Sequence, residues 1–481
     1  MDPSLIRRLK KLAGADSVLD RPEDLVLYEY DAGVDKSLPS AVVFGENAGQ
    51  ISRVMRFCAE NKIAVVPRGA GTGLSGGAIA VGHSVVLSTA RMNKILEVDL
   101  PNYRAVVQPG VVNLELSNYV VKHGVYYAPD PSSQRACTIG GNVAENSGGP
   151  HTLALGVTVN HVTGIEVVLP SGRIVEFGGK AQDSCGLDLA GFFVGSEGTL
   201  GVTTKIIVKL TKLPESVATL LAVYNTVEDA ANTVVAITQS GVTPAALEML
   251  DGWLLRAVEA AVHAGYPLDS AAVLLIELEG MKEAVEEQAE AVNKVCLRQN
   301  AREVRRARDE AQRQALWLGR KTAFGAIGRI SASYYTQDAV IPRTKVPVTL
   351  AEIDRIGKKY GLQIGNVFHA GDGNLHPLIL FDGRDPVQTE NSRKVGKEIM
   401  SFCLGLGGSI TGEHGVGSEK MNLMPYMFTE DDLEIMVRLR NVCNPDSLLN
   451  PHKMIPETRM CREITGPLPK AVVEPAPGVP V

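Results

Sequence analysis

The seven cysteines, Cys58, Cys137, Cys185, Cys296, Cys403, Cys443 and Cys461, include no C-x-x-C pair. Without one, a compact iron–sulfur motif within this chain is excluded. Scattered thiols are what a reducing compartment permits, and most are expected to be small buried hydrophobes. No apolar run approaches the ~20 residues needed to cross a bilayer. The first residues also lack the uncharged core and small-residue cleavage site of a signal peptide, because Leu5, Ile6, Leu9 and Leu12 recur at helical spacing among Arg7, Arg8, Lys10 and Lys11. We therefore expect a cytoplasmic protein that meets a membrane only peripherally, through that basic helix or through partner subunits. A net charge of −6, with lysine and arginine spread throughout, offers no stripe for tracking phosphates and speaks against nucleic acid. There is no internal repeat.

Glycine, by contrast, is plentiful at 48 residues, and it clusters. Pro67-Arg68-Gly69-Ala70-Gly71-Thr72-Gly73-Leu74-Ser75-Gly76-Gly77 looks made to hold phosphate with main-chain N–H groups. Gly71 to Gly76 satisfies G-x-G-x-x-G, which in a Rossmann fold opens a helix after a strand. Ile63–Val66 is an acceptable strand, but the residues from Ala78 to Leu87 are β-rich and broken by glycine, so the Rossmann reading fails on context. A P-loop fails too, since no Gly-Lys-Ser/Thr follows.

The motif with the most chemistry is His369-Ala370-Gly371-Asp372-Gly373-Asn374-Leu375-His376-Pro377. Asp-Gly is a favoured two-residue type I′ turn, which would set His369 directly opposite His376 and bring both imidazoles within reach of one metal ion. The alternative is a polar hairpin with two ordinary histidines. Downstream, Glu413 and His414 sit side by side among Gly407, Gly408, Gly412, Gly415 and Gly417. Two histidines and a carboxylate leave open positions on Zn²⁺, Mn²⁺ or Fe²⁺, as a catalytic site requires, and an adjacent unligated histidine suits a general base. A solvated glycine-rich turn is the competing reading.

Three further segments complete a pattern: Asp130-Pro131-Ser132-Ser133, the run from Cys137 to Gly149 containing Gly140-Gly141-Asn142, and Gly195-Ser196-Glu197-Gly198-Thr199-Leu200-Gly201-Val202. With the Pro67–Gly77 loop they resemble the FAD-binding domain of the vanillyl-alcohol oxidase and p-cresol methylhydroxylase superfamily. The histidine hairpin, Thr411–Gly417 and Asn450-Pro451-His452-Lys453 extend the similarity to its FAD-linked D-2-hydroxy-acid dehydrogenase branch, most of all to the glycolate oxidase catalytic-subunit and D-lactate dehydrogenase families. The match runs from about residue 38 to residue 456, in the family's order.

The resemblance implies that Arg68, Gly69, Gly71, Thr72, Gly73, Leu74, Ser75 and Gly76 cradle the FAD pyrophosphate. It places Pro131, Ser132, Gly140, Gly141, Asn142, Ala144, Asn146, Gly198 and Val202 along the adenosine and flavin, and Asn450 over the isoalloxazine. Members with covalent FAD often carry a histidine after the loop glycines; Leu74-Ser75-Gly76 has none, which implies non-covalent FAD. His369, His376 and Glu413 become the metal ligands, His414 the base, Arg320 the anchor of the substrate carboxylate, and Asn374 a second substrate contact. By residue pattern alone Arg320 would be a surface charge on an amphipathic helix that already runs through Arg305–Arg313.

Assembled, these parts imply oxidation of a 2-hydroxy acid to a 2-oxo acid, with metal-assisted hydroxyl activation and hydride transfer to flavin. Positions where relatives acting on D-2-hydroxyglutarate carry a threonine and a lysine fall on Phe324 and Thr336, which favours a small monocarboxylate such as glycolate or D-lactate. In the glycolate oxidase family a second FAD-domain subunit and an iron–sulfur subunit accompany this chain, so similar partners are implied. The competitors are a metal-dependent hydrolase, a non-catalytic electron-transfer flavoprotein and, within the family, a D-2-hydroxyglutarate-type dehydrogenase.

The expected fold class is α+β, with a p-cresol methylhydroxylase-type FAD-binding domain and an antiparallel-sheet cap. Residues 1–37 should form an N-terminal helical segment, 38–213 the FAD-binding domain, 214–410 the cap or substrate domain, 411–460 a segment returning to the flavin, and 461–481 a disordered tail. Lys212-Leu213-Pro214 marks the boundary, and the active site is expected where the domains meet.

Overall fold

A computed structural model of the chain describes residues 1–181 and 186–456. Cys185, Cys461 and the tail 461–481 lie outside the described residues. Of the other cysteines, Cys58, Cys137, Cys296 and Cys403 are buried and Cys443 is partly so. Contacts divide the chain into two compact units, the first from Met1–Gly149, Gly156–Leu213 and the chain from Glu413, the second from Pro150–Leu155 and Pro214–Gly412.

Besides a short antiparallel pair, Val125–Tyr126 with Thr211–Lys212, the first unit holds two larger sheets. In one, Ala41–Phe44, Val85–Ser88 and Val65–Arg68 run parallel, and Val18–Leu19 adds antiparallel beside the first of these. Parallel strands need a crossover, and the helix Ala48–Glu60 supplies the one from Ala41–Phe44 to Val65–Arg68, which flank Val85–Ser88. Asn47 caps that helix by accepting the Gln50 N–H at 2.9 Å. Ile51, Val54, Met55 and Cys58, spaced at three and four residues, form its buried stripe. The basic N-terminal pattern is also a helix, Pro3–Ala13, whose Ile6 and Leu9 join the same apolar cluster. The second sheet is antiparallel, in the order Ile95–Asp99, Arg104–Val107, Val202–Lys209, Val162–Val168, Ile174–Gly178.

After Arg68 the next regular elements are the strands Val85–Ser88, Ile95–Asp99 and Arg104–Val107, so no helix opens on the glycine loop and the Rossmann exclusion holds. The C-terminal segment closes on the same strand: the Val65 N–H donates to Leu448 O at 2.8 Å and the Asn450 N–H to Val65 O at 2.7 Å.

The second unit is built on an antiparallel sheet in the order Glu303–Arg306, Ser216–Tyr224, Ala272–Gly280, Ala246–Asp251, Ile364–His369, Asn374–Leu375, Ala339–Val340. Pro377–Phe381 pairs with both Ile364–His369 and Ser333–Thr336. Helices Val227–Gln239, capped by Thr226, and Lys282–Arg298 alternate with the strands. The helix expected through Arg305–Arg313 is not there. Glu303–Arg306 is an edge strand paired with Leu220–Val223, and the helix starts only at Glu310, where Asp309 accepts the Gln312 N–H at 2.8 Å. Strand pairing and an aspartate cap outweigh the helical spacing of the arginines.

Within this unit Glu277 shows how register creates a buried ionic cluster. Thr219 lies directly across the sheet from it, and its hydroxyl donates to Glu277 Oε2 at 2.5 Å. The Trp317 indole N–H reaches the same oxygen at 2.5 Å, and His151 Nε2 and Arg313 Nη1 stand 3.3 Å from Oε1. Burial works to raise the carboxyl pKa, but the hydrogen bond and charge of His151, with Thr219 and Trp317, lower it to about 2. The folded value lies below the usual one near 4.5, so the stabilisation is present above that pH and is lost as pH falls towards 2. At about 1.4 kcal/mol per unit it amounts to about 3 kcal/mol. Glu277→Gln should therefore cost about 3 kcal/mol at neutral pH, with the gap to wild type closing on acidification. Urea unfolding followed by tryptophan emission checks this, since Trp253 and Trp317 both belong to this unit.

Candidate active site

The histidine hairpin exists, but its register differs from the two-residue turn. His369 pairs with Asn374, and Asn366 with Pro377, so the loop is the four residues Ala370–Gly373. A type I′ turn needs positive φ at both central residues, and here Gly373 (φ +73°) has it while Asp372 does not. His376 is thus diagonal to His369 rather than opposite. Partners across a ladder and residues two apart share a face, so both rings still project the same way. Their centroids are 5.1 Å apart, edge to face.

The next strand of the sheet supplies what orients them. Glu248 lies across from His369, and its Oε1 is 2.8 Å from His369 Nδ1. That contact fixes the ring and makes Nε2 the nitrogen that would face a metal, as a carboxylate behind a ligating histidine does. Arg320, from helix Glu310–Ile327, donates from Nε to Glu248 Oε2 at 2.7 Å and brings Nη2 within 2.6 Å. Both residues of the pair are 0 % exposed, which removes the surface-charge reading of Arg320. Burial alone would raise the Glu248 carboxyl, but Arg320 and His369 outweigh it and hold it below the usual range. Nη1 and Nη2 of Arg320 are both buried and make no hydrogen bond among the described residues, so Nη2 meets Glu248 by charge alone.

Asp338, also fully buried, accepts the Thr411 hydroxyl at 2.6 Å and the Gly412 N–H at 2.9 Å through Oδ2, and its Oδ1 is 3.9 Å from His376 Nδ1. It thereby pins the residue from which Glu413 continues. Gly412 is glycine because the Asn374 amide fills the space: a Cβ there would lie 2.6 Å from it. Asn374 is 6 % exposed and its Oδ1 has no partner among the described residues. The Phe324 ring stands 6.3 Å from that of His376. Nitrogen donors backed by a carboxylate fit a borderline divalent ion.

In the first unit the glycine segments meet one another. A Cβ on Gly69 would strike the Thr138 hydroxyl, 2.5 Å away, so the loop after Arg68 touches the N-terminus of the helix Ile139–Glu145 that Thr138 caps. Gly140 lies as close to Pro109, and Gly198 (φ +68°) packs on the Pro67 ring. Gly71, at φ +71°, folds back on the Arg68 guanidinium. Asn450 donates from Nδ2 to Gly77 O at 3.0 Å and to Glu197 O at 2.6 Å, and Lys453 Nζ reaches Gly76 O at 2.5 Å. Ser75 Oγ and Asn450 Oδ1 are buried without partners among the described residues. A glycine-rich loop with such orphaned polar atoms around it fits FAD.

Not every residue carried over faces this space. Val202 is 2 % exposed within the apolar core. Asn142 Oδ1 accepts from Asn113 Nδ2 at 3.0 Å, and Asn146 Oδ1 accepts the Val159 N–H at 2.9 Å. Their amides support the loops. Four polar residues had no role assigned from the sequence: Glu248, Asp338, Glu145 and Glu197. The signal for Glu248 was available, as one carboxylate inside the apolar strand Ala246–Asp251, and that for Glu145 was a carboxylate closing a glycine-rich motif.

Comparison with known proteins adds a family. Residues 39–178 match the FAD binding domain model, and residues 213–454 match the C-terminal domain of FAD linked oxidases. The chain is 45 % identical over 461 residues to glycolate oxidase subunit GlcD of Escherichia coli K12, covering 96 % of this chain and 92 % of that one. It is 32 % identical to a D-lactate dehydrogenase of Anaerostipes hadrus, covering 94 % and 97 %. Its fold is that of p-cresol methylhydroxylase with substrate bound, at a TM-score of 0.81 and 19 % identity over 94 % of this chain and 96 % of that one.

Proposed function

The chain belongs to the FAD-linked oxidases, in their 2-hydroxy-acid dehydrogenase branch, and on that premise we propose that it oxidises a small D-2-hydroxy acid, glycolate or D-lactate, to the 2-oxo acid. The observation that carries the reading is the buried Glu248–Arg320 pair. It leaves Nη1 of a guanidinium without a hydrogen-bond partner among the described residues, beside the strands that present His369 and His376. An arginine held on one side can meet a carboxylate with its remaining donor, and such a charge-assisted bond orients the acid as well as binding it.

In this reading His369, His376 and Glu413 hold a divalent ion, whose chemistry is to make a hydroxyl more acidic. Arg320 fixes the substrate carboxylate and Asn374 adds a hydrogen bond. His414 takes the hydroxyl proton. FAD, when bound, accepts the two electrons and the C2 hydrogen. It is held by the Arg68–Gly76 loop, with Pro131, Ser132, Gly140, Gly141, Ala144, Gly198 and Asn450 around it, and without a covalent link, since Leu74-Ser75-Gly76 offers no histidine. Phe324 beside His376 and the uncharged Thr336 support a monocarboxylate rather than 2-hydroxyglutarate. Electrons leave through a second FAD-domain subunit and an iron–sulfur subunit. Two observations support such partners: a relative is named as a subunit, and this chain has no C-x-x-C of its own. Among the described residues no helix is long and apolar enough to cross a membrane.

The test is the visible spectrum of purified protein under anaerobic conditions, before and after glycolate, D-lactate or L-lactate. Bleaching of the flavin bands by glycolate or D-lactate but not L-lactate is expected. No flavin after reconstitution would remove the oxidoreductase reading. For the metal, His376→Ala should lose stoichiometric ion by elemental analysis while keeping FAD, and a variant that keeps the ion places it elsewhere.

A further inference from the structure

Glu145 has no role in the reading above, yet it is a half-buried carboxylate crowded by other charges. It is the last residue of the helix Ile139–Glu145, and its Oε2 is closed off from solvent with no hydrogen-bond partner among the described residues. A second carboxylate, Glu197, shares the site. The two meet over Gly415, where a Cβ would stand 3.0 Å from Glu197 Oε1 and closer still to Glu145 Oε2. At φ +85° with this crowding, Gly415 is the residue that makes room for both.

Two carboxylates so close cannot both ionise cheaply, and the structure distinguishes them. Burial raises the Glu197 carboxyl too, but Glu197 accepts the Val416 N–H on Oε1 at 2.7 Å and the Gly417 N–H on Oε2 at 2.6 Å, and each of these bonds works to lower it. Among the described residues no donor reaches Glu145 Oε2. Lys420 and Lys453, each 2 % exposed, and Asp31 also face Glu145. Burial first, and then the charges of Glu197 and Asp31, push Glu145 well above the carboxylate range, against the two lysines.

The same carboxyl borders the loop that cradles the cofactor. A Cβ on Gly77 would stand 2.9 Å from Glu145 Oε1 and 3.8 Å from Ser75 Oγ, while Asn450 ties Gly77 O to Glu197 O. Orphaned atoms therefore gather here: the Asn450 amide oxygen, the Ser75 hydroxyl and Glu145 Oε2. An acceptor, a hydroxyl and an acid O–H match the mixed carbonyl and N–H edge of a flavin ring, which needs donors and acceptors side by side.

We propose that Glu145 is held as the neutral acid and donates its O–H to the bound flavin, strengthening that bond as the flavin gains negative charge on reduction. The proposal rests on the FAD reading. The acid keeps its proton throughout, so no proton is transferred through it. A neutral carboxyl that donates to an electron-rich ring favours the reduced state, and thereby raises the reduction potential.

Three forms of the full-length holoprotein decide it: wild type, Glu145→Gln and Glu145→Ala. The infrared difference spectrum of flavin reduction at neutral pH should contain a shifted acid C=O stretch in wild type that is missing in both variants. Glu145→Gln, which keeps a neutral donor, should hold its midpoint potential near wild type. Glu145→Ala should favour the oxidised flavin at least tenfold, about 30 mV for two electrons, and weaken sulfite addition in step. If Glu145→Ala does not fold, the infrared band and Glu145→Gln suffice. Absence of the band from FAD-loaded wild type, or an unchanged potential in Glu145→Ala, overturns the proposal. Failure of wild type to bind FAD instead removes the reading beneath it.

Discussion

His414→Ala should purify with FAD and metal yet reduce its flavin with glycolate or D-lactate about 10²–10⁴-fold more slowly than wild type. Removing the hydroxyl proton is the one acid–base event in the reaction, and His414 is the residue proposed for it. His369 spends Nδ1 on Glu248 and is assigned, with His376, to the metal. His414 adjoins the proposed ligand Glu413, whose Oε1 is 3.9 Å from its Nε2. Anaerobic stopped-flow absorbance measures the reduction, and elemental analysis of the same sample shows whether the ion was kept. Slow reduction with full metal supports the base; reduction at the wild-type rate rules His414 out. A variant that loses the ion as well would make His414 a ligand and move the base elsewhere.

What could be read from the sequence is mostly what depends on neighbours along the chain. The crossover helix Ala48–Glu60 and the N-terminal helix follow from apolar spacing, and the strands Ser216–Tyr224 and Ala272–Gly280 from short continuous apolar runs. The failure of the Rossmann pattern followed from the β-rich run after the glycines. The hairpin was found by its Asp-Gly pair, but its register was not, because turn length is set by ladder partners: His369 answers to Glu248 on one side and Asn374 on the other. Arg320 shows the same limit. A helical arginine looks solvated until strand Ala246–Asp251, some seventy residues earlier, brings Glu248 beneath it. Glu145 and Glu197 were hidden for that reason too, since their meeting depends on the bare Cα of Gly415.

Arg320→Ala should damage folding and catalysis together, and the two losses can be separated. Breaking a buried ion pair by removing one partner costs about 3–5 kcal/mol, because the other charge is left without compensation. Glu248 would keep only His369. For the substrate, losing a charge-assisted anchor should cost at least about 2 kcal/mol, or roughly 30-fold in kcat/KM, with KM rising. Arg320→Lys retains a charge but not the planar fork, so it should recover more stability than kcat/KM. The double variant Arg320→Met, Glu248→Leu removes both buried charges and should regain part of the stability that Arg320→Ala loses, as replacing a whole buried pair by apolar residues often does. Its activity should not return, since His369 has lost the carboxylate that orients it. Urea unfolding followed by tryptophan emission gives the first quantity and steady-state kinetics on glycolate or D-lactate the second. If Arg320→Ala has wild-type kinetics, the guanidinium serves Glu248 alone and the carboxylate anchor lies elsewhere. If the double variant is as unstable as Arg320→Ala, the cost of that single change is lost packing around the guanidinium stem rather than an uncompensated charge.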